Sequence, residues 1–91
     1  MTSRARPERL YVKILSPTKS LYEGDAISIS AHNRVGPFDV LVGHTNFFSI
    51  LTPSEVLLDT GVKQQRFPVS HGLMKVHNNI VTLYVDIGMT P

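Results

Sequence analysis

Apolar and polar side chains alternate with a period of two along most of this chain, the pattern of strands that bury one face and expose the other. Leu10, Val12 and Ile14 alternate with Tyr11 and Lys13. Ser16-Pro17-Thr18-Lys19 follows as a turn, because Pro presets φ and Ser bonds its own backbone. After Gly24-Asp25, a strand is predicted in which Ile27, Ile29 and Ala31 share the inward face while Ser28, Ser30 and His32 share the other. Asn33-Arg34-Val35-Gly36-Pro37 reads as a loop, and Phe38, Val40 and Val42 then mark an inward face up to a break at Gly43-His44. Further strands are predicted at Phe47–Leu51, Val56–Asp59, Gln64–Ser70, Leu73–His77 and Ile80–Ile87.

Two local signals refine this pattern. Pro68 cannot donate to a ladder, so its strand belongs at a sheet edge or carries a bulge. Asn78-Asn79 reads as a tight hairpin turn, since Asn tolerates the left-handed conformation, and it turns Val81, Leu83, Val85 and Ile87 inward. About eight short strands at intervals of roughly 8 to 12 residues predict an all-β fold, a small β-sandwich or flattened barrel of about eight to ten strands. Helical spacing is nowhere sustained.

Length and composition narrow the picture. At 91 residues, with 42% hydrophobic and 18% charged, the chain has the material for one core and one domain. That domain is assigned to residues 9–91, after a polar, basic and flexible arm over residues 1–8, which is broken by Pro7. The net charge of +2 is uneven, with Arg4, Arg6, Arg9, Lys13 and Lys19 near the start against Glu8, leaving the remainder acidic. This describes a basic arm rather than the basic face that duplex nucleic acid requires. No apolar run approaches the roughly 18 residues of a membrane span, and no signal-peptide pattern follows the early arginines, so a soluble, unexported chain is expected. The absence of Cys excludes disulfides, thiolate metal sites and thiol nucleophiles.

Candidate chemistry is sparse. His32, His44, His71 and His77 offer no closely spaced pair for a metal, and His32 and His77 read as solvated positions. Ser70, His71 and Asp86 could be drawn as a hydrolytic triad, but Ser70 has a nearby glycine on one side only, unlike a nucleophile elbow. Glu23 and Asp25 read as strand-terminating residues rather than an acid/base pair, and the six glycines never cluster into a phosphate loop. A small barrel binding single-stranded nucleic acid would need aromatics beside a basic groove. Here Tyr11, Tyr22, Phe38, Phe47, Phe48, Phe67 and Tyr84 sit mostly in apolar alternation and are expected in the core, with Tyr11 beside Lys13 the one suggestive neighbour. The conspicuous stretch is Val35 to Phe48, which would leave Val35, Pro37 and Leu41 exposed around a loop suited to protein contact.

Four landmarks in register then resemble one family. They are Leu10-Tyr11-Val12-Lys13-Ile14 followed by Ser16-Pro17; Tyr22-Glu23-Gly24; Gly36 to Gly43-His44; and Val69-Ser70-His71-Gly72-Leu73-Met74-Lys75-Val76, continuing into Asn79-Ile80-Val81-Thr82-Leu83. Over residues 9–88 the sequence is similar to the amino-terminal β-sandwich domain of the epsilon subunit of F-type ATP synthase. It departs from the family pattern at Val42, where Pro usually precedes Gly-His, at Pro37, where a polar residue is common, and at His71, where a second Gly is usual.

The resemblance implies a non-catalytic, cofactor-free and metal-free subunit of the central stalk, coupling rotation of the proton-translocating proteolipid ring to the gamma subunit. It implies a peripheral place at the membrane, through the complex and without insertion, on the cytoplasmic face of the inner membrane or its organellar equivalent. Carried over by position, Gly36, Pro37, Phe38 and Leu41 fall on the ring-facing loop, and Ser16, Gly43 and His44 at the gamma-subunit interface. Family members typically continue into a helical hairpin that carries a regulatory brake. Taken as complete at Pro91, this chain would lack that hairpin and any ATP-sensing role. Nucleic acid is not an expected partner, although a single-stranded nucleic-acid barrel and a generic protein-interaction domain remain the alternative readings.

Overall fold

The computed structural model describes residues 9–86, and the basic arm at residues 1–8 and the position of Ile87 lie outside them. Nine strands follow in chain order: β1 (Leu10–Leu15), β2 (Ser20–Ala26), β3 (Ser28–Asn33), β4 (Gly36–Leu41), β5 (Phe47–Leu51), β6 (Ser54–Asp59), β7 (Gln64–Val69), β8 (His71–His77) and β9 (Ile80–Asp86). They form two sheets, a five-stranded one ordered β2-β1-β9-β8-β5 and a four-stranded one ordered β4-β3-β6-β7. The all-β sandwich expected from the alternation is the fold observed.

Alternation becomes packing directly. Leu10, Val12 and Ile14 of β1 and Val81, Leu83 and Val85 of β9 are buried from one sheet, meeting Ile29, Ala31, Val40, Val56 and Leu58 from the other. Phe38, Phe47 and Phe67 are partly buried against this core. No buried polar side chain interrupts it among the described residues. The inward positions are filled almost entirely by apolar groups, so close packing and apolar burial join the two sheets, and the part-buried Asn33 Nδ2–Ser49 Oγ bond at 3.1 Å crosses between them.

Local chemistry places the turns. Asn78 and Asn79 have φ of 50° and 65°, the two successive left-handed residues of a two-residue hairpin between β8 and β9. Ser16 Oγ donates to Lys19 O at 3.1 Å and accepts from Lys19 N–H at 3.2 Å, closing the β1–β2 turn. Pro68 lies on β7, an edge strand of the four-stranded sheet, as a residue without an N–H requires.

Three expectations need correction. Ile27 is 37% exposed rather than inward: the chain leaves the five-stranded sheet after Ala26 and enters the other at Ser28, and Ile27 sits at the crossing with its N–H bonded to Asp59 O at 2.8 Å. A strand at Ser20–Ala26 was not expected, because Glu23, Gly24 and Asp25 break its apolar pattern. It forms as an edge strand that β1 holds along its length. Gly36 and Pro37, read as the end of a loop, instead begin β4 and run on into the alternating Phe38–Leu41 segment, paired with β3 from Asn33↔Gly36 to Ser28↔Leu41.

Candidate functional site

The loop after β4 is fastened to the β8–β9 hairpin by side-chain amides. Gly43, at φ 90°, turns the chain, and its N–H donates to Asn79 Oδ1 at 2.7 Å. Asn78 N–H donates to Asn46 Oδ1 at 2.8 Å, and Tyr11 N–H donates to Asn79 O at 2.9 Å. His44 N–H reaches back to Leu41 O at 3.1 Å, while the His44 ring lies 4.8 Å from that of Phe47, which Phe38 meets edge-on at 5.9 Å. Leu41, Gly43 and His44 therefore form one braced corner, with Leu41 56% exposed at its rim.

Ser16 lies elsewhere. It follows β1 at the end of the five-stranded sheet remote from Asn79, since β1 and β9 run parallel with Tyr11↔Ile80 and Leu15↔Tyr84 paired. Six residues of strand separate the two ends, roughly 20 Å. The three expected gamma-contact positions thus fall into two places, Gly43 and His44 at one end of the sheet and Ser16 at the other. The four expected ring-facing positions are also divided: Pro37 and Leu41 are exposed on β4, Gly36 begins it, and Phe38 turns inward onto Phe47.

Between the two ends runs a surface that sequence reasoning missed. On the outer face of the five-stranded sheet, Leu15, Tyr84, Leu73 and Ile50 lie side by side across β1, β9, β8 and β5. The next row is Lys13, Thr82, Lys75 and Phe48. Ile50 is 71%, Phe48 68% and Tyr84 51% exposed. Phe48, Tyr84 and Tyr11 are therefore not core residues, and the aromatics and cations expected to lie apart share one face. The signal was available as strand phase: Phe48 and Ile50 alternate with the inward Phe47, Ser49 and Leu51.

Beside Ser16, an open groove of about 280 Å³ is lined by Leu15, Pro17, Gly72, Tyr84 and the His71–Asp86 pair. Ser70, His71 and Asp86 do converge here, with Ser70 Oγ 3.3 Å from His71 Nδ1 and His71 Nε2 3.4 Å from Asp86 Oδ2. Yet Ser70 Oγ donates to Asp86 O at 2.9 Å, and Ser70 N–H bonds the same carbonyl at 2.8 Å. A hydroxyl whose proton is committed to a backbone acceptor is tied down rather than activated, so this cluster fastens the β7–β8 corner to β9. Among the described residues no group of three or more His, Asp or Glu side chains is arranged to hold a metal ion.

A sandwich with braced corners and a broad apolar face suits contact with another protein, and comparison with known proteins gives its family. Residues 9–90 match the model of the ATP synthase delta/epsilon chain β-sandwich domain. The chain belongs to that family. It is 32% identical over 77 residues to the ATP synthase epsilon chain of Vesicomyosocius okutanii, covering 85% of this chain and 56% of that one. It is 30% identical over 82 residues to that of Clostridium novyi, covering 88% and 62%. This member of the family therefore spans little more than half the length of those relatives. Among solved structures, a chain of the Euglena gracilis mitochondrial ATP synthase in an OSCP/F1/c-ring assembly superposes with a TM-score of 0.85 at 17% identity, over 99% of this chain and 57% of that one. One from the Tetrahymena thermophila mitochondrial ATP synthase central stalk and c-ring gives 0.74 at 16%, over 89% and 66%. At this identity both likenesses are of fold.

Proposed function

We propose that this domain is a non-catalytic rotor part of a proton-translocating ATP synthase, clamping the gamma subunit and resting on the proteolipid ring so that ring rotation turns the central stalk. The observation that carries the reading is the outer face of the five-stranded sheet, which runs without a break between the Ser16 end and the Gly43–His44 corner. A single partner touching both ends must cover the apolar row between them. Transmitting torque calls for a stiff body with a broad contact, and two sheets packed through an uninterrupted apolar core provide stiffness. On this reading the ring contact uses the outward Pro37 and Leu41 of β4, with Phe38 bracing them from behind. The domain sits peripherally at the membrane, on its cytoplasmic face or the organellar equivalent, through the complex rather than by insertion; among the described residues no helix is long and apolar enough to cross a membrane.

The test is binding of the purified gamma subunit, by calorimetry, to the protein and to its His44→Ala, Leu41→Ala and His77→Ala variants. His44→Ala and Leu41→Ala are expected to weaken binding to gamma or to the ring-containing rotor by about tenfold, and His77→Ala by much less. Equal losses at all three would remove these anchors. One specific observation favours a second reading: Tyr11, Tyr84 and Phe48 share a face with Lys13 and Lys75, as in sheets that stack single-stranded bases. That reading requires affinity for an oligonucleotide that falls steeply with salt.

A further inference from the structure

The sandwich has four edge strands, and three of them carry features that block pairing with another chain. β2 presents Glu23, Gly24 and Asp25, β4 carries Pro37 and Asp39, and β7 carries Arg66 and Pro68. Charges, glycine and proline at an edge are the means by which sheets avoid adding strands. β5 has none of them: its sequence is Phe47-Phe48-Ser49-Ile50-Leu51, and it ends the five-stranded sheet beyond β8. Just past it, Thr52 N–H bonds His32 O at 3.1 Å and joins the chain to β3. Among the described residues, no backbone hydrogen bond links Phe47–Ile50 to anything beyond β8.

The strand is also anchored to the rest of the sandwich. Asn33 Nδ2 donates to Ser49 Oγ at 3.1 Å from beneath, and Phe47 packs on Phe38. Outward, Phe48 and Ile50 continue the rows of Lys75 and Leu73 to the very edge of the sheet. A strand added here would extend both rows by one position and satisfy the unpaired N–H and C=O groups of β5.

We infer that β5 is a strand-acceptor edge, which takes an extended, uncharged segment of the rotor partner, with apolar side chains at alternate positions, as a sixth strand. The inference rests on the rotor reading above and names how the partner is gripped. Backbone pairing supplies the attachment, and the side chains beside Phe48 and Ile50 supply the selectivity. An added strand is uncharged because β5 has no ionic group to pair with it.

Backbone hydrogen exchange separates strand addition from any other way of covering this face. The isotope-labelled protein is measured by NMR alone and saturated with purified gamma subunit. In an antiparallel pair only alternate amides of β5 point to β8, so the others are the ones an added strand protects. Those amides within Phe47–Ile50 are expected to slow by at least tenfold on binding, with smaller changes at the amides already paired. If gamma binds and these amides exchange as in the free protein, strand addition is overturned while the rotor reading stands. If gamma does not bind, both are overturned. As a second measurement, Phe48→Lys with Ile50→Lys alters two exposed positions and leaves the core intact; at least a tenfold loss of gamma affinity is expected, and unchanged affinity overturns the proposal.

Discussion

On the outer face of the five-stranded sheet, Tyr84 and Ile50 stand beside Leu15 and Leu73 in a row of large, mostly apolar side chains, whereas the outer face of the four-stranded sheet answers its own polar groups. There Ser30 Oγ donates to Asp39 Oδ1 at 2.6 Å, Glu55 reaches Arg66 at 3.4 Å, and Ser28, Asp59 and Gln64 face water with them. Inward, the sheets are alike, each lined by fully buried Val, Leu and Ile. A face whose polar groups are paired or solvated is complete in water; one that leaves large apolar side chains exposed in a row is complete only when something covers it. The difference sets an apolar face apart from a largely polar one in a molecule whose core both sheets share, and the exception on the polar side is the β4 edge, where Pro37 and Leu41 are exposed.

If stability is shared, equivalent core truncations on the two sheets must cost alike. Leu83 on β9 and Leu58 on β6 are both fully buried. Leu83→Ala and Leu58→Ala are each expected to destabilise the fold by about 2–5 kcal/mol, the cost of lost burial plus the cavity left behind. Urea unfolding of both variants checks this, and a loss confined to one sheet would break the picture of a common core.

The next effect in size concerns the corner. Asn79→Ala removes the acceptor of the Gly43 N–H and places Ala at φ 65°. The expected loss is about 1–2 kcal/mol, from one unsatisfied donor and a strained backbone. Asn79→Gly keeps the turn and loses only the hydrogen bond, so it should fall between Ala and the parent in the same unfolding measurement.

The outer faces themselves should separate stability from binding. Tyr84→Ser with Ile50→Ser touches side chains that are mostly exposed, so stability is expected to move by no more than about 1 kcal/mol. Affinity for gamma should nevertheless drop by about tenfold or more, because these residues form the apolar row. Loss of stability without loss of binding would make the row a structural feature after all.

Most of this architecture was legible because strand alternation and turn chemistry act locally. Pro68 announced its edge, and Asn78-Asn79 announced their turn. What escaped was set by partners distant in sequence. β2 exists because β1 holds it, and Gly36–Leu41 is a strand because β3 lies alongside, although Gly36 and Pro37 read locally as a break. Ile27 was misplaced because a chain crossing between sheets preserves the alternation of its neighbours while changing which face is inside. The candidate site suffered most: Ser16 and His44 carry no local sign that they lie at opposite ends of a sheet, and Tyr84 looks in sequence like any core aromatic.

The smallest effect tests the quiet face. Glu55 and Arg66 lie on adjacent strands, displaced by one diagonal step from Glu55↔Pro68 and Leu57↔Arg66, and their side chains are 55% and 60% exposed. An ion pair so open to solvent gains little Coulomb energy, pays side-chain entropy and is screened by salt. Arg66→Ala is therefore expected to cost less than about 0.5 kcal/mol in urea unfolding, with the difference from the parent shrinking further at high salt. Its effect on gamma affinity should be negligible, because Arg66 is paired with Glu55 and lies on β7, at the opposite edge of this sheet from the exposed Pro37 and Leu41 of β4. A tenfold loss of binding at Arg66 would mean that the polar β6–β7 half of this sheet also engages gamma, and its contrast with the apolar face would have to be given up.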